Sequence, residues 1–219
     1  MYDARFRQPA TICIAGPTSS GKTTIAGKIA SYKKILFDKP PRFTVLCYSE
    51  DQDLYDDLYN KGHVNKLLKG YPSYHDLSII LKAHKKEGSL LIIDDSLQGI
   101  TEDITKIFFQ LSHHSNTSCC FISQNLFYDN KHYRSLTMNC MYKFLTNNPG
   151  NKTQIFHLAK QISPYNTNYI VQAYNKATSK SYGYLLIDLH QRTPLVLMLR
   201  THIFPDEPKP MKCFIEKSH

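Results

Sequence analysis

Two stretches of the chain carry residue types at spacings that suit phosphate chemistry. Residues 16–23 read Gly-Pro-Thr-Ser-Ser-Gly-Lys-Thr, a match to G-x-x-x-x-G-K-[ST]. Gly16 and Gly21 let the backbone curl until successive N–H groups point inward at phosphate oxygens. Lys22 has the reach and charge for β- and γ-phosphates, and the Thr23 hydroxyl can ligate Mg²⁺. The nucleotide contacts are therefore expected from Gly16, Pro17, Thr18, Ser19, Ser20, Gly21, Lys22, Thr23 and Thr24, with ATP and Mg²⁺ as cofactors. The second stretch is Leu90-Leu91-Ile92-Ile93-Asp94-Asp95. Four apolar residues place Asp94 at the carboxyl end of a buried strand, where it would hold Mg²⁺ through water. Asp95 would orient or deprotonate the attacking water, or else cap the next segment.

Three further groups belong to the same chemistry. Gln124 ends an apolar run, Phe121-Ile122-Ser123, and could bond both water and the γ-phosphate; an ordinary polar turn is the alternative. Arg134 suits transition-state charge on phosphate, supplied to a neighbouring subunit, or a surface ion pair. Arg42, Arg192 and Arg200 are other arginines for that task. His113 and His114 precede Cys119 and Cys120, but their spacing fits no usual zinc pattern, and capping a helix end is the simpler role.

The elements that must position these residues follow from periodicity. Residues 11–15 form a short β-branched run that predicts a buried strand, and residues 22–34 carry apolar side chains at helical spacing. Strands are expected at 43–48, 90–93, 118–123, 141–145, 184–189 and 195–199. Helices are expected at 51–59, 76–86, 101–111, 153–161 and 166–178. Strand and helix alternate through the first part, which predicts an α/β fold with a mostly parallel sheet covered on both faces. Ligands then gather at the carboxyl ends of the strands. Residues 1–204 are read as one nucleotide-binding domain and residues 205–219, with three prolines, as an extended tail.

Bulk composition bounds the rest. The chain has 219 residues, 42% of them hydrophobic, enough for one compact domain. Lys and Arg number 27 against 18 Asp and Glu, a formal net charge of +9, which suits a polyanionic partner. Lys82, Lys85 and Lys86 read as a solvated helix face. The 15 tyrosines are mainly packing residues, although tyrosine can stack on bases. The six cysteines form no C-x-x-C pair and several lie in apolar runs, as in reduced intracellular proteins. Neither a signal peptide nor a run long enough to span a membrane is visible, so a soluble intracellular protein with no membrane partner is expected.

Beyond these generic signatures, the sequence resembles the genome-packaging ATPases of large DNA viruses and Maverick/Polinton elements, a branch of the FtsK–HerA superfamily. The resemblance rests on G-P-T-S-S-G-K-T, Y-S-E-D-Q (48–52), L-L-I-I-D-D, S-H-H-S-N (112–116), S-Q-N-L-F (123–127), Y-R-S-L-T-M-N (133–139) and Y-G-Y-L-L-I-D-L (182–189). It implies an ASCE P-loop NTPase fold with an extra strand between the P-loop strand and the Asp94 strand. It implies a homo-oligomeric ring of five or six subunits that threads double-stranded DNA into a capsid, docked on capsid proteins, in the nucleus or viral factory of an infected cell or with the virion. Lys22, Asp95, Gln124 and Arg134 match the family's catalytic positions, Arg134 as a trans-acting finger, and Thr23 with Asp94 its metal site. Asp95 stands where cellular relatives usually carry Glu. The chain lacks the length for a second, nuclease domain. A small-molecule or nucleoside kinase, and a nucleotide-gated factor that binds DNA or capsid without turnover, are the rival readings.

Overall fold

The computed structural model describes residues 2–70, 73–94, 102–127 and 131–216, apart from the Lys131 side chain. Nine strands form one sheet in the order β3-β2-β4-β5-β1-β6-β7-β8-β9. They are β1 (Thr11–Ala15), β2 (Phe43–Tyr48), β3 (Lys66–Lys69), β4 (Ser89–Ile93), β5 (Thr117–Ser123), β6 (Tyr142–Thr146), β7 (Tyr184–Asp188), β8 (Leu199–Thr201) and β9 (Lys212–Phe214). From β3 to β6 neighbours run parallel, and β7, β8 and β9 add antiparallel pairs at one edge.

The alternation of side chains along β1 shows how the layers are built. Ile12 and Ile14 face one core, with Ile25 and Ile29 of α1 (Lys22–Ser31), Leu36 of α2 (Lys33–Leu36) and Tyr55 and Leu58 of α3 (Asp53–Asn60). Cys13 and Ala15 face the other. There they meet α4 (Tyr74–Ala83), α5 (Glu102–Lys106), a π-helical turn (Ile107–Leu111), α7 (Lys131–Asn139), α8 (Thr153–Ile162) and α9 (Thr167–Ala177). α6 (Ser112–His114) continues the π-helical turn and carries His113 and His114, both exposed, at its end. With both faces covered, the central strands are rich in apolar residues, and β1, β4, β5 and β6 are buried throughout.

Several boundaries differ from the sequence expectation. The strand expected at 195–199 is a 3-10 turn (Leu195–Leu197), and the strand begins at Leu199. The cause is the tight turn before it: Thr193 Oγ1 donates to Asp188 Oδ1 at 2.8 Å, and Leu197 N donates to Pro194 O at 2.8 Å, which leaves Leu195 80% exposed. β3 escaped the pattern because Lys-Leu-Leu-Lys is four residues long and lies at an edge. α4 starts two residues early, because Ser73 caps it by accepting from Asp76 N at 3.1 Å. The expected tail contains β9, which pairs with β8, and Tyr169 OH donates to Phe214 O at 2.6 Å.

Charge and thiols are also placed by the fold. Lys82, Lys85 and Lys86 are exposed, as expected of a solvated face. Lys33 is buried: its ammonium donates to Thr44 Oγ1 at 2.6 Å and His63 O at 2.9 Å, and burial, followed by the nearby Lys34 charge, lowers its pKa to about 8. Cys13, Cys47, Cys119, Cys120 and Cys140 are buried and Cys213 is partly exposed, with no disulfide among the six. Burial pushes Cys47 up to about 12. Ellman's reagent should therefore titrate one thiol per native chain quickly, Cys213, and five more only after denaturation. Two or more fast thiols in the native protein would contradict this core.

Candidate nucleotide site

β5 lies between β1 and β4, pairing with both in parallel register, Ala15 opposite Ser123 and Ile93 opposite Phe121. Three carboxyl ends therefore stand side by side. The first opens into the loop at 16–21, the second into Ser123 and Gln124, and the third into Asp94.

The P-loop is fixed by its neighbours. Gly16 N donates to Ser123 O at 3.1 Å, tying the loop to the end of β5. A Cβ on Gly16 would lie 1.7 Å from Thr146 Oγ1, so only glycine fits against the end of β6. Thr146 Oγ1 is 2.7 Å from Ser20 Oγ and 3.3 Å from Ala15 O, a hydroxyl bridge across the loop. Gly21 takes φ +89°, turning the chain into α1, whose Ile25 N donates to Gly21 O at 3.0 Å. Residues 19–24 with Tyr182 line a cavity of about 300 Å³ at the amino end of α1. That end concentrates N–H donors and a positive partial charge, which suits phosphate. Lys22 Nζ donates to Pro17 O at 2.7 Å, so the ammonium is held over the loop it would share with phosphates.

Asp94 approaches from the neighbouring strands. Its backbone N donates to Cys47 O at 2.9 Å, which sets β4 against β2. Its carboxylate accepts from Gln52 Nε2 at 3.3 Å and from the Tyr55 hydroxyl, both supplied by the segment after β2. The Thr23 side chain lies near the same phenol, so Tyr55 stands beside both groups expected to hold the metal. Burial, with the charge of Asp94, pushes the Tyr55 hydroxyl well above its usual pKa, so it stays protonated and able to donate. A hydroxyl and carboxylate oxygens form a hard donor set that fits Mg²⁺. The sequence reading gave neither Gln52 nor Tyr55 a role at the site. Gln52 ends the Y-S-E-D-Q stretch and Tyr55 follows it, and a strand paired to β4 releases that segment beside Asp94.

The remaining candidates fall as follows. Gln124 is exposed on the turn after β5, between the P-loop strand and the Asp94 strand. The turn is braced by Asn125 N donating to Ser123 Oγ at 3.1 Å and by the Tyr133 hydroxyl donating to Asn125 O. Arg134 lies on the exposed side of α7 and forms no side-chain hydrogen bond or ion pair with another described residue. Arg42 and Arg192 are exposed. Arg200 cannot serve a neighbouring subunit: it is 1% exposed and its Nη2 donates to Asp188 Oδ2 at 2.5 Å. Asp95 lies outside the described residues.

With a parallel sheet, a glycine-curled loop at its carboxyl edge, and an acid one strand removed, the architecture is decided. The fold is that of a P-loop NTPase. It is similar to the genome packaging NTPase B204 from Sulfolobus turreted icosahedral virus 2, solved in complex with AMPPCP. The TM-score is 0.55 at 14% identity, covering 89% of this chain and 97% of B204. It is also similar to the cytoplasmic domain of the Thermomonospora curvata type VII secretion ATPase EccC, at TM-score 0.55 and 12% identity, over 94% of this chain and a quarter (25%) of that one. The cytoplasmic domain of EssC matches at TM-score 0.50 and 11% identity over 68% of this chain and 33% of EssC. No family model and no curated protein sequence matches the chain. Among the described residues, no helix of this NTPase fold is long and apolar enough to cross a membrane.

Proposed function

We propose that the chain is an ATP-hydrolysing motor that moves double-stranded DNA into a viral capsid. The observation that carries the catalytic part is the convergence of the P-loop, Asp94 and Gln124 at one sheet edge, with β5 inserted between β1 and β4. The packaging part is supported by the end-to-end likeness in fold to a viral packaging NTPase, and by the formal net charge of +9.

In this reading Lys22 and the N–H groups of the P-loop bind the phosphates, and Thr23 and Asp94 hold Mg²⁺. Bound there, the ion neutralises charge on the phosphate oxygens. Tyr55 and Gln52 orient the Asp94 carboxylate. Asp95 accepts a proton from the attacking water, and Gln124 positions that water and senses the nucleotide. Arg134, exposed on α7, completes the site of the next subunit in a ring of five or six. The ring docks on capsid proteins inside an infected cell.

The test is the steady-state ATPase rate with and without long duplex DNA across protein concentrations. The expected result is stimulation by DNA and a rate that rises more steeply than linearly with protein. Stimulation should fade with salt, because phosphate contacts dominate such binding. A slow rate that ignores DNA and scales linearly with protein would overturn the motor and direct attention to a phosphate acceptor.

A further inference from the structure

The Tyr-Gly-Tyr stretch at 182–184 is not used by the phosphate chemistry, yet it sits against the P-loop. Tyr182 holds φ +60°, a left-handed conformation that a bulky residue rarely adopts, and its side chain is left 73% exposed. Gly183 makes the turn possible, since a Cβ there would lie 2.5 Å from Ala177 O. The result is a tyrosine ring placed beside Gly21, where a Cβ would come within 3.2 Å of Tyr182 Cδ1.

Below that ring is a cavity of about 420 Å³, lined by Tyr182, Tyr184, Phe204, Lys28 and Glu207 together with Gly21, Thr24 and Ile25. It shares Gly21, Thr24 and Tyr182 with the phosphate cavity, so the two adjoin. Its walls are aromatic: the Tyr184 and Phe204 centroids are 5.7 Å apart with the rings tilted by 59°, and Lys28 Nζ stands 5.5 Å from the Phe204 centroid. Its polar end is fixed. Glu207 Oε2 accepts from Tyr184 OH and from Phe204 N, both at 2.9 Å, and Lys28 pairs with Asp206 at 2.9 Å. A carboxylate accepts and cannot donate, so the cavity suits a planar heteroaromatic ring with an N–H donor on its edge.

Resting on the nucleotide-binding reading above, we propose that this cavity holds the base of the nucleotide, with Tyr182 as the stacking face and Glu207 as acceptor for the exocyclic amine of adenine. Placement supports it. In the reading above Lys22, Thr23 and Asp94 take the β- and γ-phosphates, and Thr24, next to them in the chain, lines both cavities.

Calorimetric titration of the full chain in Mg²⁺, with ATP and with inorganic tripolyphosphate, tests the proposal. Tripolyphosphate keeps the phosphates and lacks the nucleoside. Tyr182→Ala should weaken ATP binding by about 5- to 150-fold, the range of a lost base–aromatic stack, and tripolyphosphate binding by much less. Tyr182→Phe should keep ATP within about threefold. If Tyr182→Ala binds ATP as the wild type does, or loses both ligands equally, the base pocket is wrong and the phosphate site stands. If the wild type binds neither ligand, the nucleotide-binding reading fails and takes the pocket with it.

Discussion

Replacing Lys22 by alanine is expected to lower kcat by at least about a hundredfold while the fold stays intact. The side chain lies on the first turn of α1, partly exposed, and its ammonium is engaged at the P-loop through Pro17 O rather than in either apolar core. In the proposed mechanism, removing it deletes the positive charge offered to the transferring phosphoryl group. Steady-state phosphate release, read beside circular dichroism and thermal melting, checks both halves. Full activity in Lys22→Ala would overturn the site assignment. A lost fold would show that the residue is structural.

Arg200→Met is expected to cost about 3–5 kcal/mol of stability, measured by guanidinium unfolding. Arg200 and Asp188 are 1% and 2% exposed in their side chains, and they join β8 to β7. The guanidinium also donates to Ala4 O, tying the amino-terminal segment to the sheet. Methionine leaves the Asp188 carboxylate buried without its counter-charge, although Thr193 Oγ1 and His190 N still donate to Oδ1. A second change, Asp188→Asn, removes the stranded charge and keeps an acceptor for those donors, so the double variant should recover much of the loss.

The sign of the pH dependence follows from the same residues. Burial raises the Asp188 pKa above its ordinary 3.8, and Arg200 pulls it back. Without Arg200 the folded state holds the proton to higher pH than the unfolded state does. Protonation then favours folding, and the penalty in Arg200→Met is fully present above the folded pKa and shrinks as pH falls through it toward 3.8. A loss that is independent of pH would assign the effect to packing alone.

The phosphate loop and Asp94 were legible in the chain because their chemistry is local. Gly16, Gly21, Lys22 and Thr23 act through a backbone curl and a helix start, both of which are set within eight residues, and Asp94 is announced by the apolar run before it. The central strands were legible for a related reason: both faces are buried, so each carries an apolar run rather than an alternating one. What depended on tertiary structure is which ends meet. Insertion of β5 between β1 and β4 brings Gln124 beside the P-loop, and pairing of β2 with β4 delivers Tyr55 and Gln52 to Asp94, from 39 and 42 positions away. Arg200 looked in the sequence like the other arginines, and only the antiparallel pairing of β7 with β8 shows it enclosed with Asp188. Tyr182 is the clearest case. Its φ of +60° and its place over Gly21 come from a turn that joins α9 to β7, and no local periodicity encodes a contact between residues 21 and 182. The sequence by itself determined which residues are offered to phosphate. The packing of the sheet decided what orients them and where the rest of a nucleotide can go, because those contacts join residues far apart in the chain.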